Sequence, residues 1–127
     1  MNNEQKLEGT KLVGFDPIKK VDELKIIDLV EGTGEIVKEE ATITAHYTGA
    51  LAVDGTIFQS SLDFKSPATF GLDQVISGWT VGVPGMKVGG TRRLIIPSAM
   101  AYGSKRASSA IPPNSDLVFD IDLISIG

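Results

Sequence analysis

The chain has 127 residues, a mass of 13.5 kDa and 42% hydrophobic residues, which favours one domain with one core over a disordered chain. Its formal net charge of -4 and pI near 4.9 argue against a nucleic-acid-binding protein, because such proteins usually carry a basic face. It has no cysteine, which excludes disulfides and thiol catalysis, and no apolar run approaches the ~20 residues of a membrane span.

The first part of the chain is polar, and Gly9 and Gly14 interrupt any regular period. We expect residues 1–20 to form an N-terminal extension, flexible or laid over the domain surface with Phe15 as its local anchor. Residues 21–127 are expected to form the folded domain. The chain start lacks the basic and apolar layout of a secretory signal. We therefore expect a cytoplasmic protein, with a fragment of a longer exported or anchored protein as the alternative.

The first half of the domain carries the composition and the alternation of β-strands. β-branched residues are frequent, apolar and polar positions tend to alternate, and the dipeptide Asp54-Gly55 is a turn signal between two such segments. These patterns predict strands at 24–30, 41–49, 56–58 and 67–72.

The segment 74–83 is the one stretch with the periodicity of a helix. Its apolar residues recur at i, i+1, i+4 and i+8, which places them on one face: Val75, Ile76, Trp79 and Val83. Asp73 is placed to cap this helix, and Pro84 ends it. Its two glycines, Gly78 and Gly82, each cost about 1 kcal/mol relative to alanine, so the helix must depend on packing.

The second half of the domain returns to the β pattern. We expect a strand at 91–96, a long loop at 98–115 and a closing strand at 117–126, in which Asp120 and Asp122 alternate with apolar residues and should face solvent. Five or so strands around one short helix predict an antiparallel α+β domain.

An apolar set lies far apart in the sequence and can meet only through tertiary folding. Its members would form a pocket that carries one phenol: Val75, Ile76, Trp79, Tyr102, Ile111 and Phe119. His46 is the only histidine and is expected to be a structural strand residue, because no partners stand at metal-ligand spacing. We therefore expect neither a metal nor another cofactor, and a reaction that shape and burial can catalyse.

Seven sequence blocks occur in order across residues 21–127. They are His46-Tyr47-Thr48-Gly49, Asp54-Gly55 leading to Phe58, Val75-Ile76-Ser77-Gly78-Trp79, Met86-Lys87-Val88-Gly89-Gly90, Ala101-Tyr102-Gly103, Ile111-Pro112-Pro113-Asn114 and Leu117-Val118-Phe119-Asp120. In residue type, order and spacing these blocks resemble the FKBP-type peptidyl-prolyl cis-trans isomerases.

The resemblance implies a curved antiparallel sheet of five to six strands, a half-barrel wrapped around one short helix, with a proline pocket between the two. Trp79 would form the floor, and Tyr102 and Ile76 would supply hydrogen-bond donors to the substrate. The walls and the rim of the pocket would be formed by Tyr47, Phe58, Gln59, Phe70, Val75, Ile111 and Phe119.

The expected activity is the acceleration of rotation about X–Pro peptide bonds in proline-containing polypeptides during protein folding. The resemblance also implies binding of macrolide inhibitors such as rapamycin. Many active relatives carry an aspartate after the phenylalanine that corresponds to Phe58, and here Gln59 takes its place. The neutral amide should keep activity but puts macrolide affinity in doubt. A monomer without nucleic-acid or membrane partners is expected.

Two alternatives remain open at this point. One is a non-catalytic module that holds proline-containing segments in the same cleft, which Gln59 and the small polar residues before Ile111 motivate. The other is a folding chaperone, which the absence of an inserted flap domain makes the weaker of the two.

Overall fold

Six antiparallel strands form one open sheet that packs on one short helix. The computed structural model describes residues 6–105 and 109–127. The strands are β1 (Lys25–Val30), β2 (Thr42–Leu51), β3 (Ile57–Ser60), β4 (Ala68–Gly71), β5 (Thr91–Ile96) and β6 (Leu117–Ile126). The helix α1 spans Ser77–Gly82, and short 3-10 turns cover Ser61–Phe64 and Ser98–Met100. The strand order is β1-β5-β6-β2-β3, with β4 also paired to β2, which confirms the predicted antiparallel α+β fold.

The helix is shorter than predicted. It has six residues and begins after Ile76, which makes no side-chain capping bond, so the predicted cap at Asp73 is wrong. The N–H of Gln74 instead bonds the carbonyl of Gly71 at 2.9 Å and closes a turn before the helix. Val75 and Ile76 therefore lie in the connection that leads to the helix rather than on its face. No helix in the described part of the chain is long and apolar enough to cross a membrane.

Two glycines allow the helix to lie close to the sheet. A Cβ atom on Gly78 would meet the side chain of Ile96 at 2.6 Å, and one on Gly82 would meet Leu94 at 2.7 Å. These distances are shorter than ordinary carbon contacts, so an alanine at either position would push the helix away from β5 or disturb its side chains. Close approach explains why a helix of six residues contains two poor helix formers.

The strands bury residues on both faces of the sheet. On the face covered by α1, which we call the helix face, the main core contains Trp79, Val83, Leu94 and Phe119. The opposite face carries a smaller cluster of buried residues: Val21, Ala50, Ala52, Ile57, Ile95 and Val118. The strict alternation in β5 and β6 produces this division, since successive side chains of a strand point to opposite faces.

Residues 6–20, which we call the strap, cover the smaller cluster, and we call this side of the sheet the strap face. Leu7, Leu12, Phe15 and Ile18 pack against the cluster. The guanidinium of Arg93 donates to the carbonyls of Gly14 at 2.8 Å and Val13 at 3.3 Å, and lies 5.6 Å from the centre of the Phe15 ring. The division of the chain at residue 20 stays a prediction.

The alternating pattern predicts that Asp120 faces solvent, and the structure shows that it does not. Its carboxylate accepts two hydrogen bonds from Arg93, at 2.7 and 2.9 Å, and the Arg93 side chain is only 9% exposed. Asp122 is exposed, as expected, and accepts a bond from the Thr91 hydroxyl. The difference arises because Asp120 lies opposite Arg93 in the β5–β6 register.

Candidate active site

A cavity of about 490 Å³ opens between the helix and the sheet. Nine of the ten residues predicted for the site line it, together with one residue that the sequence analysis missed, Gln74. The lining residues are Tyr47, Phe58, Gln59, Phe70, Gln74, Val75, Ile76, Trp79, Tyr102 and Phe119. Ile111 is the exception: its side chain is 5% exposed, belongs to the main core and is not part of this lining. The roles assigned to these residues stay predictions.

Trp79 lies at the centre of an aromatic cluster. Its ring is 4.9 Å from Phe70, 5.3 Å from Phe119 and 6.0 Å from Tyr47, measured between centroids, and all three pairs are edge-to-face. Such pairs contribute about 0.5–1.5 kcal/mol each beyond the area they bury. The indole is 3% exposed, and its Nε1 has no hydrogen-bond partner among the described residues. The cluster therefore holds the indole in one orientation beneath the cavity.

A β-bulge brings two consecutive residues into the cavity wall. Gly49 pairs with Gln59, but the next residue, Ala50, pairs with Ile57, so Phe58 is the extra residue of β3. In a regular strand Phe58 and Gln59 would point to opposite faces; at the bulge both line the cavity. The extra residue therefore lies on β3 and not on β2.

Gly49 provides the space for this arrangement. A Cβ atom there would come within 2.6 Å of both Phe58 and Phe119. With no side chain present, the two rings approach to 5.7 Å at an angle of 85°. A glycine in a central strand normally weakens the strand, so its place here follows from the need for room beneath two aromatic rings.

The cavity has no charged lining residue and contains three hydrogen-bond donors without partners in the described structure. Neither the Tyr47 hydroxyl nor the Tyr102 hydroxyl has a hydrogen-bond partner in the described part of the protein, and the peptide N–H of Ile76 has none there either. Burial raises the pKa of Tyr47 above its usual value of 10.0, and the neighbouring Tyr102 adds to the effect. The Tyr47 hydroxyl therefore keeps its proton at neutral pH and can donate it to a ligand.

The described residues contain no group of three or more His, Asp or Glu side chains placed to hold a metal ion. His46 bonds the Ser61 hydroxyl through Nδ1 at 2.9 Å and lies on the strap face, away from the cavity over Trp79. Ser61 is 2% exposed and His46 is partly exposed, so the bond links a strand residue near the surface to the interior. What the cavity provides is an apolar, uncharged surface with a few free donors.

Comparison with known proteins gives a consistent result. Residues 33–124 match the family model described as FKBP-type peptidyl-prolyl cis-trans isomerase. A protein of Neisseria meningitidis serogroup A described as an FK506-binding protein is 48% identical over 105 residues, 81% of this chain and 95% of that protein. A peptidyl-prolyl cis-trans isomerase structure from Pseudomonas syringae has a TM-score of 0.75 at 38% identity, covering 87% of this chain and 80% of that one. FkpA from Escherichia coli has a TM-score of 0.73 at 41% identity, covering 81% and 47% respectively.

Proposed function

Since the chain belongs to the FKBP-type peptidyl-prolyl cis-trans isomerases and catalyses that isomerisation, we propose that its cavity over Trp79 receives the proline ring of an X–Pro bond. The observation that carries this assignment is the set of edge-to-face rings around one buried indole, with no charged side chain among the residues that line the cavity. The alternative of a non-catalytic holding module is not favoured, because the matching family is defined by the isomerase activity.

The reaction is suited to such a site because it needs no nucleophile. Resonance holds the X–Pro amide planar, with a barrier of about 18–20 kcal/mol, and the uncatalysed exchange takes tens to hundreds of seconds. The planar ground state is more charge-separated than the twisted transition state, since twisting decouples the nitrogen from the carbonyl. An apolar surround therefore disfavours the planar states relative to the twisted one. A thousandfold acceleration requires about 4 kcal/mol from such effects.

We assign the free donors to the substrate chain on either side of the twisting bond. In this proposal the Tyr102 hydroxyl donates to a substrate carbonyl close to the proline, and the Ile76 N–H donates to a carbonyl on the other side. Tyr102 is 40% exposed, as a donor at the entrance must be if a polypeptide is to reach it. Fixing both carbonyls leaves rotation about one bond as the remaining freedom, which lowers the entropy lost in reaching the transition state.

The lack of charge at the rim of the cavity also affects the binding of ligands other than peptides. Gln59 is exposed and lines the cavity as a neutral amide, where many relatives carry a carboxylate. The Neisseria relative is described as an FK506-binding protein, and we propose that the present cavity also accepts macrolides of this kind. Their affinity should be lower than in relatives with the carboxylate, because a neutral amide forms weaker hydrogen bonds than an ionised group.

Exchange NMR on a series of X–Pro peptides tests the role of Tyr102. Tyr102→Phe removes only the hydroxyl, and we expect kcat/KM to fall about tenfold, the equivalent of one hydrogen bond of about 1.4 kcal/mol. The thermal midpoint should stay unchanged, since the hydroxyl has no partner in the described structure. Val81→Ala is the control, because Val81 is 57% exposed on α1 and does not line the cavity. Parent-level kcat/KM in Tyr102→Phe would remove the hydroxyl from the mechanism, and parent-level activity in Trp79→Leu would refute the site itself.

A further inference from the structure

The strap contacts more than the surface cluster that it covers. Its residues 9–12 pair with residues 55–57, the last of which is the first residue of β3: Gly9 N–H bonds the Ile57 carbonyl at 2.8 Å, and Ile57 N–H bonds the Thr10 carbonyl at 2.8 Å. Leu12 N–H bonds the Gly55 carbonyl at 2.8 Å, and Lys11 forms a bridge with Thr56. In hydrogen-bonding terms these residues are an additional edge strand.

β3 needs such support because its other attachment is slight. It has four residues, stands at the end of the strand order and pairs with β2 at only three positions. The bulge at Phe58 interrupts even these, since the extra residue has no partner on β2. Short edge strands with an irregular register are prone to slip or to fray unless a second segment holds them.

The strap is itself fixed at both ends. The Asp63 carboxylate, just after β3, accepts bonds from the N–H groups of Leu7 at 2.7 Å and Glu8 at 3.0 Å. At the other end Arg93, already paired with Asp120, binds the carbonyls of Val13 and Gly14. Residues 7–12 are thus held between two polar anchors and paired with residues 55–57 at the start of β3.

The residue that the strap grips is next to the cavity wall. Ile57 gives both its N–H and its carbonyl to the strap and packs its side chain into the cluster on the strap face. The following two residues, Phe58 and Gln59, line the isomerase cavity. Because the three residues are consecutive in one bulged strand, the position of Ile57 sets where Phe58 and Gln59 stand.

We propose that residues 7–12 are a positioning strand of the isomerase site, which acts by holding β3 and thereby the Phe58–Gln59 wall. The family match begins at residue 33, so the strap lies outside the segment that defines the family. The inference rests on the proposed function only in taking Phe58 and Gln59 as substrate-contacting residues. A loosened strap would leave chemistry at Tyr102 intact and weaken the fit of the substrate, which raises KM more than it lowers kcat.

Two matched glycine variants of the full chain separate this effect from general destabilisation. Gly9 has φ +88 and Gly89 has φ +91, and a Cβ atom at either position would meet nothing within 4 Å. Gly9→Ala and Gly89→Ala therefore impose the same backbone strain, the first in the strap and the second in a turn that does not line the cavity. The readouts are amide hydrogen exchange at Ile57, the amide resonances of Phe58 and Gln59, and kcat and KM for an X–Pro peptide.

We expect Gly9→Ala to speed exchange at Ile57, to shift the Phe58 and Gln59 resonances and to raise KM about threefold with a smaller change in kcat. Gly89→Ala should do none of these. Asp63→Ala, which removes the acceptor for Leu7 and Glu8, is the second strap variant and should act in the same direction.

The proposal would be overturned if the Ile57 amide exchanged faster in Gly9→Ala while KM stayed at the value of the Gly89→Ala control. So would protection of Ile57 that survives both Gly9→Ala and Asp63→Ala. Either result would leave the assignment of Tyr102 and Trp79 untouched, since the parent's turnover and the Tyr102→Phe variant test that assignment separately.

Discussion

The two faces of the sheet are built by different physical means. The helix face collects aromatic edges around Trp79 and leaves donors at Tyr102 and Ile76 without partners in the described structure. The strap face buries small aliphatic residues and pairs its charged groups: the Arg93 guanidinium donates to Asp120 and to two strap carbonyls.

The difference shows where function and stability are separated in this domain. Unpaired donors and an open apolar surface lower stability, yet they are what a substrate carbonyl and a proline ring need. A fully paired buried cation holds its surroundings in place and offers nothing to a ligand. Changes on the strap face should therefore act on folding and, through β3, on KM, whereas changes on the helix face should act on folding and on kcat as well.

The largest effect is expected from breaking the buried ion pair on the strap face. Asp120→Ala leaves the Arg93 guanidinium, whose side chain is 9% exposed, without its carboxylate, and should lower the free energy of unfolding by about 3 kcal/mol. Urea denaturation measures this loss, and kcat should stay within about twofold of the parent because neither residue of the pair lines the cavity.

Asp122→Ala is the control on the same strand. Asp122 is exposed and accepts a bond from the Thr91 hydroxyl only, so its removal should change the unfolding free energy by about 0.5 kcal/mol or less. Equal losses in the two variants would mean that the Arg93–Asp120 pair has no special place in the stability of the strap face.

A smaller change in stability is expected on the helix face. Its sign is opposite to the one that helix propensity alone would give. Alanine is the better helix former by about 1 kcal/mol, yet Gly78→Ala should destabilise the protein by about 1–3 kcal/mol, because the new Cβ would overlap Ile96. It should also lower kcat/KM, since Trp79 is the next residue and would move with the helix. Urea denaturation and the exchange NMR assay check the two parts.

Val81→Ala keeps the comparison within one helix. Val81 is 57% exposed, so the same replacement by alanine there should leave both stability and turnover near parent values. A Gly78→Ala protein as stable as the parent would show that the helix does not need its close approach to β5.

These features differ in how far the sequence could predict them. The strands β5 and β6 occur at 91–96 and 117–126 as predicted, because long stretches with regular alternation carry a strong signal. The helix was predicted too long, since Val75 and Ile76 continue its apolar period although they line the cavity from the preceding connection. Periodicity records which residues are apolar and not where the backbone begins to coil.

The cavity was predicted more fully than its surroundings. Nine of ten predicted residues line it, because aromatic and aliphatic residues in ordered blocks are a strong joint pattern. Gln74 was missed, since an exposed glutamine gives no signal of its own. Ile111 was placed at the entrance, whereas the core takes up its side chain. The pairing of the strap with residues 55–57 depends on backbone bonds between residues 43 or more positions apart, which side-chain patterns cannot reveal.

The smallest effect concerns the carboxylate that joins β1 to the end of the helix. Arg92 donates to Asp28 at 2.7 Å and to the Gly82 carbonyl at 2.9 Å. The hydrogen bond from Arg92 holds the pKa of Asp28 below the usual value of 3.8. Burial of Asp28 opposes this effect, and the positive charge of Arg92 adds to it. A lowered pKa in the folded state gives a stabilisation that is complete above about pH 4 and is lost as the pH falls through the folded value.

Thermal unfolding of the parent and of Asp28→Asn across pH 2–7 measures this contribution. The parent should be more stable at pH 7 by about 1 kcal/mol at most, because the Asp28 side chain is 48% exposed and water screens the pair. The gap should begin to narrow below about pH 4 and close as the pH falls through the lowered pKa of Asp28, where the parent's carboxylate also becomes neutral. A gap that stays constant over the whole range would mean that the charge of Asp28 contributes nothing to stability. Arg92 would then hold the end of the helix through its bond to the Gly82 carbonyl alone.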